Sequence, residues 1–116
     1  MNARKKDPRV YLDDIQAAIM LVAEFVAEGR EEFSASLKTQ NAVIRLLIVI
    51  GEAAAKLPRT FRDLHPEVPW KKVVGMRNVM IHDYSNIDIP TIWIVAVRDL
   101  PELKKAIELM IGEWSM

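Results

Sequence analysis

An arginine, an asparagine and a histidine interrupt one short apolar segment of this 116-residue chain, at Arg77, Asn78 and His82, and Tyr84 follows two positions later. Histidine has an unperturbed pKa of about 6.5 and can therefore accept or donate a proton at neutral pH. Arginine stays protonated, and its planar guanidinium matches the oxygens of a phosphate. A site that combines Arg77 with His82 could therefore bind a phosphate group and move a proton beside it.

The spacing of these residues limits how they can meet. At about 100° per residue, Asn78 and His82 lie about 40° apart on a helix, whereas Arg77 and His82 lie about 140° apart and cannot touch directly. An Arg–His site therefore requires that the side chain of Arg77 curls around the helix, or that a second copy of the helix lies across a two-fold axis. The residues alone also allow a structural interpretation. In it Arg77 and Asn78 are solvated, His82 interacts with the helix dipole and Tyr84 anchors a loop.

Most other kinds of active site are excluded by residue type. The chain has no cysteine, which rules out thiolate catalysis, disulfides and cysteine-based metal centres. Its four glycines are isolated, so no phosphate-binding or dinucleotide-binding loop is present. Neither His65 nor His82 has a carboxylate three or four positions away, the spacing that a helical metal site needs. We therefore predict no metal and no cofactor, and we expect His65 to lie exposed in a connecting segment without a catalytic role.

Composition indicates one globular domain over residues 1–116, because a second core does not fit this length. Apolar residues make up 51% of the chain and charged residues 28%, and the formal net charge is +0, so any polyanion site must be local. The basic start lacks the apolar run of a secretory signal, and the apolar stretch 42–55 is shorter than a membrane span. These features and the absence of cysteine favour a soluble cytoplasmic protein.

Apolar residues recur at steps of three and four along most of the chain, which predicts helices and no strands. The expected helices span about 8–28, 34 or 36 to 56, 70–82, 88–98 and 99–113, with a short helical turn near 60–64. The last helix is expected to start anew at Asp99, which has capping-box spacing to Glu102. The segment 42–50 is apolar nearly all round, which is typical of a central helix or a subunit interface. The sequence therefore predicts an all-α, up-and-down bundle of four to five helices.

The segment from Arg77 to Tyr84 resembles the R-x4-H-x-Y signature of the HEPN superfamily, the higher eukaryotes and prokaryotes nucleotide-binding domains, and in particular its HepT-like toxins. The resemblance covers nearly the whole chain, in the order found in that family. It includes the segments Tyr11 to Ile15, Ala42 to Arg45, Ile50 to Ala53, Pro66 to Asn78 and Asp99 to Leu103. The motif itself shows no departure from the family pattern.

The resemblance implies a homodimeric, HEPN-like bundle that acts as a metal-independent endoribonuclease and as the toxin of a type VII toxin–antitoxin pair. It implies that Arg77 and His82 are catalytic, with Asn78 in support, in a cleft where two motif copies meet. The antitoxin of such pairs is an MntA-like minimal nucleotidyltransferase, which AMPylates the motif tyrosine, here Tyr84. The expected partners are RNA, this antitoxin and a second copy of the chain, within a dimer or a larger toxin–antitoxin complex.

The chemistry of these residues agrees with that activity. RNA carries its own nucleophile, the 2′-OH, so cleavage needs only a base, a cation for the phosphorane and a proton for the leaving 5′-oxygen. His82 can move the protons and Arg77 can stabilise the charge, while Asn78 can orient the imidazole or the phosphate. The expected products are a 2′,3′-cyclic phosphate and a 5′-OH.

Two other classes of function stay open at this point. One is a non-catalytic HEPN-type module that binds a nucleotide or RNA without cutting it, and the other is a plain helical interaction partner. A non-catalytic module has no need of both Arg77 and His82, yet both are present. Arg45 and Glu52 are seven positions apart and share a helix face, and we interpret them as inter-helix or interface partners.

Overall fold

A computed structural model of the chain describes residues 7–82 and 86–114, with the side chains of 78–82 and 114 left out of the description. The described residues form helices, turns and connections, and none of them lies in a strand. The helices are α1 (Pro8–Phe25), α2 (Arg30–Ala35), α3 (Leu37–Lys56), α4 (Arg59–Asp63), α5 (Trp70–His82), α6 (Ile89–Ile94) and α7 (Leu100–Trp114). The predicted all-α bundle is confirmed.

The ends of α1 follow from local chemistry. Asp7 precedes the helix, and its side chain accepts a hydrogen bond from the backbone N–H of Arg9 at 2.9 Å, while Pro8 occupies the first turn. The helix ends at Phe25, three residues earlier than predicted, and a turn leads to Gly29. Gly29 has φ +100°, which glycine adopts at little cost, so the predicted role of this glycine in ending the segment is confirmed.

Helix α3 is the centre of the bundle. It packs most extensively against α1 and α5, and Val43, Leu47 and Ile50 are fully buried along it. The remaining apolar residues of 42–50 are buried or half-buried, so a central position within one chain accounts for the apolar pattern. Gln40 donates from Nε2 to the backbone oxygens of Phe33 at 3.0 Å and Ser34 at 3.1 Å, which joins α2 to α3.

The chain stays helical from α6 to α7 through a π-helical turn, Val95–Asp99. The predicted break at Asp99 is therefore wrong, and the Asp99 carboxylate accepts a hydrogen bond from Nε of Arg98 at 2.9 Å. Burial explains the continuity. One buried stripe runs through both helices at Ile92, Ala96, Leu100, Leu103, Ile107 and Met110. The steps from Ile92 to Ala96 and from Ala96 to Leu100 are four residues each, which is longer than the 3.6 residues of one α-helical turn. A π turn contains more residues per turn than an α-helix, so these side chains stay on the side that faces the core.

The exposed apolar side chains lie mainly away from α3. Met20, Leu21 and Phe25 on α1 are 51%, 45% and 44% exposed.

Of the helices in 7–82 and 86–114, none combines the length and the apolar character that crossing a membrane requires.

Candidate functional site

Arg77, Asn78 and His82 lie on α5, and several contacts hold the start of this helix. The backbone oxygen of Pro69 accepts hydrogen bonds from the N–H groups of Lys72 at 2.9 Å and Val73 at 3.1 Å. The indole Nε1 of Trp70 donates to the backbone oxygen of His65 at 3.0 Å, and Trp70 is 8% exposed. The predicted bounds of this helix, 70 to 82, are confirmed.

Arg77 is half-buried and lies directly against α3. A Cβ atom placed on Gly51 lies 2.7 Å from Cβ of Arg77 and 2.8 Å from its backbone nitrogen, distances that real Cβ atoms essentially never show. Only glycine at position 51 therefore allows α5 to approach α3 this closely. The sequence marks Gly51 only as an isolated glycine inside an apolar helix, a pattern that can indicate close packing, and its contact with Arg77 was not predicted.

Asn78 and His82 follow Arg77 on the same continuous helix. The angles around the helix axis that the sequence predicts, about 40° between Asn78 and His82 and about 140° between Arg77 and His82, therefore apply to their backbone positions. Their side chains, and Tyr84 as a whole, lie outside the described residues. The roles predicted for Arg77, Asn78, His82 and Tyr84 accordingly stay predictions.

Arg45 and Glu52 differ in environment although they share a face of α3. Arg45 is exposed, whereas Glu52 is half-buried and adjoins Gly51, where α3 meets α5. Their positions are separated by seven residues, roughly 10 Å along the helix. No ion pair within 4.0 Å joins them among the described residues. Their interpretation as inter-helix or interface partners stays a prediction.

The prediction that His65 is exposed is wrong, because its side chain packs against Phe61 of α4. Its side chain is 16% exposed, its ring lies 4.8 Å from that of Phe61, and Nδ1 lies 3.3 Å from Oε2 of Glu67. The backbone oxygen of His65 also accepts the Trp70 indole bond, which draws this residue inward. These contacts give His65 a structural position at the start of α5.

A cleft of about 670 Å³ separates the first half of α5 from the π-helical turn and α7. Its floor is apolar, with Val73, Leu100 and Leu103, and its rim carries charges of both signs. On this rim the Asp99 carboxylate raises the pKa of the Arg98 guanidinium, chiefly through the hydrogen bond between them. Arg77 is not among the described residues that line this cleft.

In the part of the chain that the structure describes, no three His, Asp or Glu side chains are grouped closely enough to hold a metal ion.

The helical bundle, with its motif helix packed on a central helix, is of the HEPN-like class. The chain belongs to the HepT-like ribonuclease family, since the model of that family matches residues 15–110. It is 43% identical over 105 residues to "Probable ribonuclease HepT" of Thermococcus cleftensis. The aligned residues make up 90% of this chain and 96% of that protein.

Two further relatives have names that describe them provisionally as RNases. The chain is 38% identical over 107 residues to a protein of Methanocaldococcus jannaschii, with 91% of this chain and 98% of that protein covered. It is 36% identical over 104 residues to one of Caldanaerobacter subterraneus, with 89% and 93% covered. No solved structure shows a significant match to the chain.

We predict that Gly51→Ala destabilises the protein, although alanine is the better helix former. The added Cβ meets backbone atoms of Arg77 that cannot rotate away, and overpacking of this kind costs roughly 1–3 kcal/mol, against about 1 kcal/mol gained in helix propensity. Urea unfolding measures the free energy of unfolding. Gly112→Ala is the matched control, because a Cβ there meets nothing within 4 Å, and it is expected to stabilise the protein. Equal stabilisation by both substitutions would contradict the close contact.

Proposed function

We propose that this protein is a metal-independent endoribonuclease and the toxin of a type VII toxin–antitoxin pair. The observation that carries the proposal is that a HepT-like chain retains Arg77 and His82 on one helix, which is anchored to the central helix at Arg77. The names of its relatives describe ribonucleases, which supports the same activity. In this proposal residues 1–116 form one catalytic domain that acts in the cytoplasm.

The proposed reaction uses the 2′-OH of RNA as the nucleophile. His82 removes the proton from the 2′-OH or delivers one to the leaving 5′-oxygen, and water carries out the complementary proton transfer. Arg77 stabilises the charge that develops on the phosphorane oxygens, and Asn78 orients the imidazole or the phosphate. The 2′-oxygen forms a bond to phosphorus as the bond to the 5′-oxygen breaks. The products are a 2′,3′-cyclic phosphate and a 5′-OH.

We expect the pure protein to cleave RNA in the presence of EDTA, because neither histidine has a carboxylate at metal-binding spacing. Arg77→Ala and His82→Ala are each expected to lower the cleavage rate by about 10²-fold or more. Arg77→Ala keeps the Cβ atom that contacts Gly51, so the packing of α5 on α3 is retained. Cleavage is followed on a labelled RNA, and helix content by circular dichroism.

The matched control for this experiment is Arg30→Ala, which removes an exposed arginine on α2 and is expected to cleave RNA normally. Complete loss of cleavage on chelation contradicts metal independence. RNA binding without cleavage by the wild-type protein would favour the non-catalytic module instead.

The active form in this proposal is a homodimer, because Arg77 and His82 of one chain lie on different sides of α5 and cannot contact each other directly. The two positions differ by about 140° on the continuous α5. The backbone and Cβ of Arg77 are held against Gly51, which restricts the path by which its side chain can curl around the helix. A two-fold axis beside α5 would bring Arg77 of one copy towards His82 of the other.

We predict that Arg77→Ala and His82→Ala chains complement each other when they are refolded together. Half of the dimers formed at random are mixed, and each mixed dimer holds one complete Arg77–His82 site, so recovery of about a quarter of wild-type activity is expected. Cleavage is measured on the mixture and on each variant alone. Sedimentation equilibrium at micromolar concentration reports the dimer. A 13.3 kDa monomer, or mixed dimers without recovered activity, would contradict the two-chain site.

The proposed antitoxin is an MntA-like minimal nucleotidyltransferase that adds AMP to Tyr84, acting on the dimer or within a larger complex. Tyr84 lies two residues beyond His82 in the sequence. An AMP group there introduces a phosphodiester charge near Arg77, where the substrate phosphate is expected to bind, and its nucleoside obstructs access.

We expect Tyr84→Phe to retain at least part of the ribonuclease activity and to escape the antitoxin, because the 2′-OH reaction does not need the tyrosine hydroxyl. Wild-type and variant proteins are incubated with the nucleotidyltransferase and ATP, and mass and RNA cleavage are followed. The wild-type protein should gain one AMP and lose activity while it stays folded. A mass gain on the variant, or inhibition of the wild-type protein without modification, would show that control acts through another residue or through steric capture.

A further inference from the structure

Two arginines of α4 share a pocket whose described lining residues do not include Arg77. Arg59 and Arg62 are three positions apart, so they lie on one side of this short helix. Together with Asp63 and Trp70 they line a pocket of about 320 Å³. Arg59 is exposed, Arg62 is half-buried and Trp70 is buried, so the pocket has an open side and an inner wall.

We infer that this pocket binds a backbone phosphate of single-stranded RNA, at a distance from the bond that is cut. The inference rests on the proposed ribonuclease function and adds a substrate-binding subsite to it. It would take any sequence, since guanidinium groups recognise the phosphate and not the base.

The polar groups of the pocket are incompletely paired, and this is the main support for a ligand. The Nε atom of Arg62 is buried and has no hydrogen-bond partner among the described residues. A buried donor without a partner is costly, and a turn of the half-buried Arg62 side chain towards the open side of the pocket would let a bound anion pair with it. Asp63 is an exposed carboxylate of the same pocket, and no ion pair within 4.0 Å joins it to either arginine in the described part of the chain. Two cations and one anion therefore leave the pocket positively charged.

Trp70 contributes an apolar wall to this pocket. Its only polar atom, Nε1, already donates to the backbone oxygen of His65 at 3.0 Å. The indole therefore forms an apolar inner wall that is 8% exposed, and the arginines supply the donors for a phosphate.

The location of the pocket relative to the motif favours a strand over a free ion. Trp70 and Arg77 are seven residues apart on the continuous α5, which places them about 20° apart around the helix and roughly 10 Å apart along it. The pocket thus lies two turns before Arg77 on the same side of α5. A strand whose scissile phosphate lies at Arg77 reaches the pocket with a neighbouring part of its backbone, whereas a dinucleotide is too short to occupy both places.

The test compares a dinucleotide with a longer single-stranded RNA as substrates of Arg62→Gln and Arg59→Gln. Each substitution removes a charge-assisted contact, so KM for the long RNA is expected to rise about ten-fold while kcat is unchanged. Both parameters for the dinucleotide are expected to stay at wild-type values. Arg30→Gln removes an equal charge from an exposed position on α2 and serves as the matched control. Circular dichroism reports folding, and exposed Arg59 supplies a second variant if half-buried Arg62 proves structurally necessary.

Binding of the long RNA to the His82→Ala protein gives a readout that needs no catalysis. Adding Arg62→Gln to that protein is expected to reduce the slope of log affinity against log salt by about 0.7, the value for one phosphate contact on a single strand. An unchanged slope, together with unchanged KM for the long RNA, overturns the inference and leaves the ribonuclease proposal intact. A protein that cleaves no RNA but loses RNA affinity in the arginine variants overturns the ribonuclease proposal and leaves the subsite. Displacement of the long RNA by AMP at equal affinity would show a free-nucleotide site and overturn the inference.

Discussion

The contact between Gly51 and Arg77 is the constraint on which the candidate site depends. At this point the backbone of α5 approaches α3 so closely that even a methyl group on α3 has no room. The contact sets the position of α5 along the central helix, and with it the backbone positions of the later residues of α5. A charged side chain is thereby carried on a tightly packed part of the fold, where its backbone has little freedom, and such rigidity is what a phosphate-binding residue needs.

The rest of the bundle serves to hold α3 in place. Helix α1 covers one side of it and α5 another, while Gln40 fastens the short α2 to its first turns. Burial of apolar side chains also determines the shape of the C-terminal helices. Its helix widens into a π turn at 95–99 instead of breaking, because the apolar stripe from Ile92 to Met110 can then remain in the core. Burial thus overrides the local capping signal at Asp99.

A chain with no net charge can hold a polyanion only through the placement of individual cations. In the proposed arrangement these are arginines on two neighbouring elements, α4 and α5, and both Arg62 and Arg77 are half-buried. Partial burial lowers the local dielectric, so that a phosphate interacts more strongly with them than with a fully solvated lysine. The cleft between α5 and α7 has charges of both signs on its rim and an apolar floor, and is not suited to this task.

The sequence by itself determined the fold class, the bounds of α5 and the family, because apolar periodicity, helix caps and the spacing of Arg77, His82 and Tyr84 are local properties of the chain. The sequence placed the start of α3 near Ser34 or Ser36 for the same reason, and in the structure Ser36 caps the helix through the N–H of Thr39. Only the tertiary structure decided that Gly51 supports Arg77, that His65 is drawn inward by Trp70 and that Arg59 and Arg62 line one pocket with that tryptophan. Each of these contacts joins residues of two different elements of the chain, whether two helices or a helix and a connecting segment. Such contacts depend on how the helices pack around α3, and no spacing within a single helix contains that information.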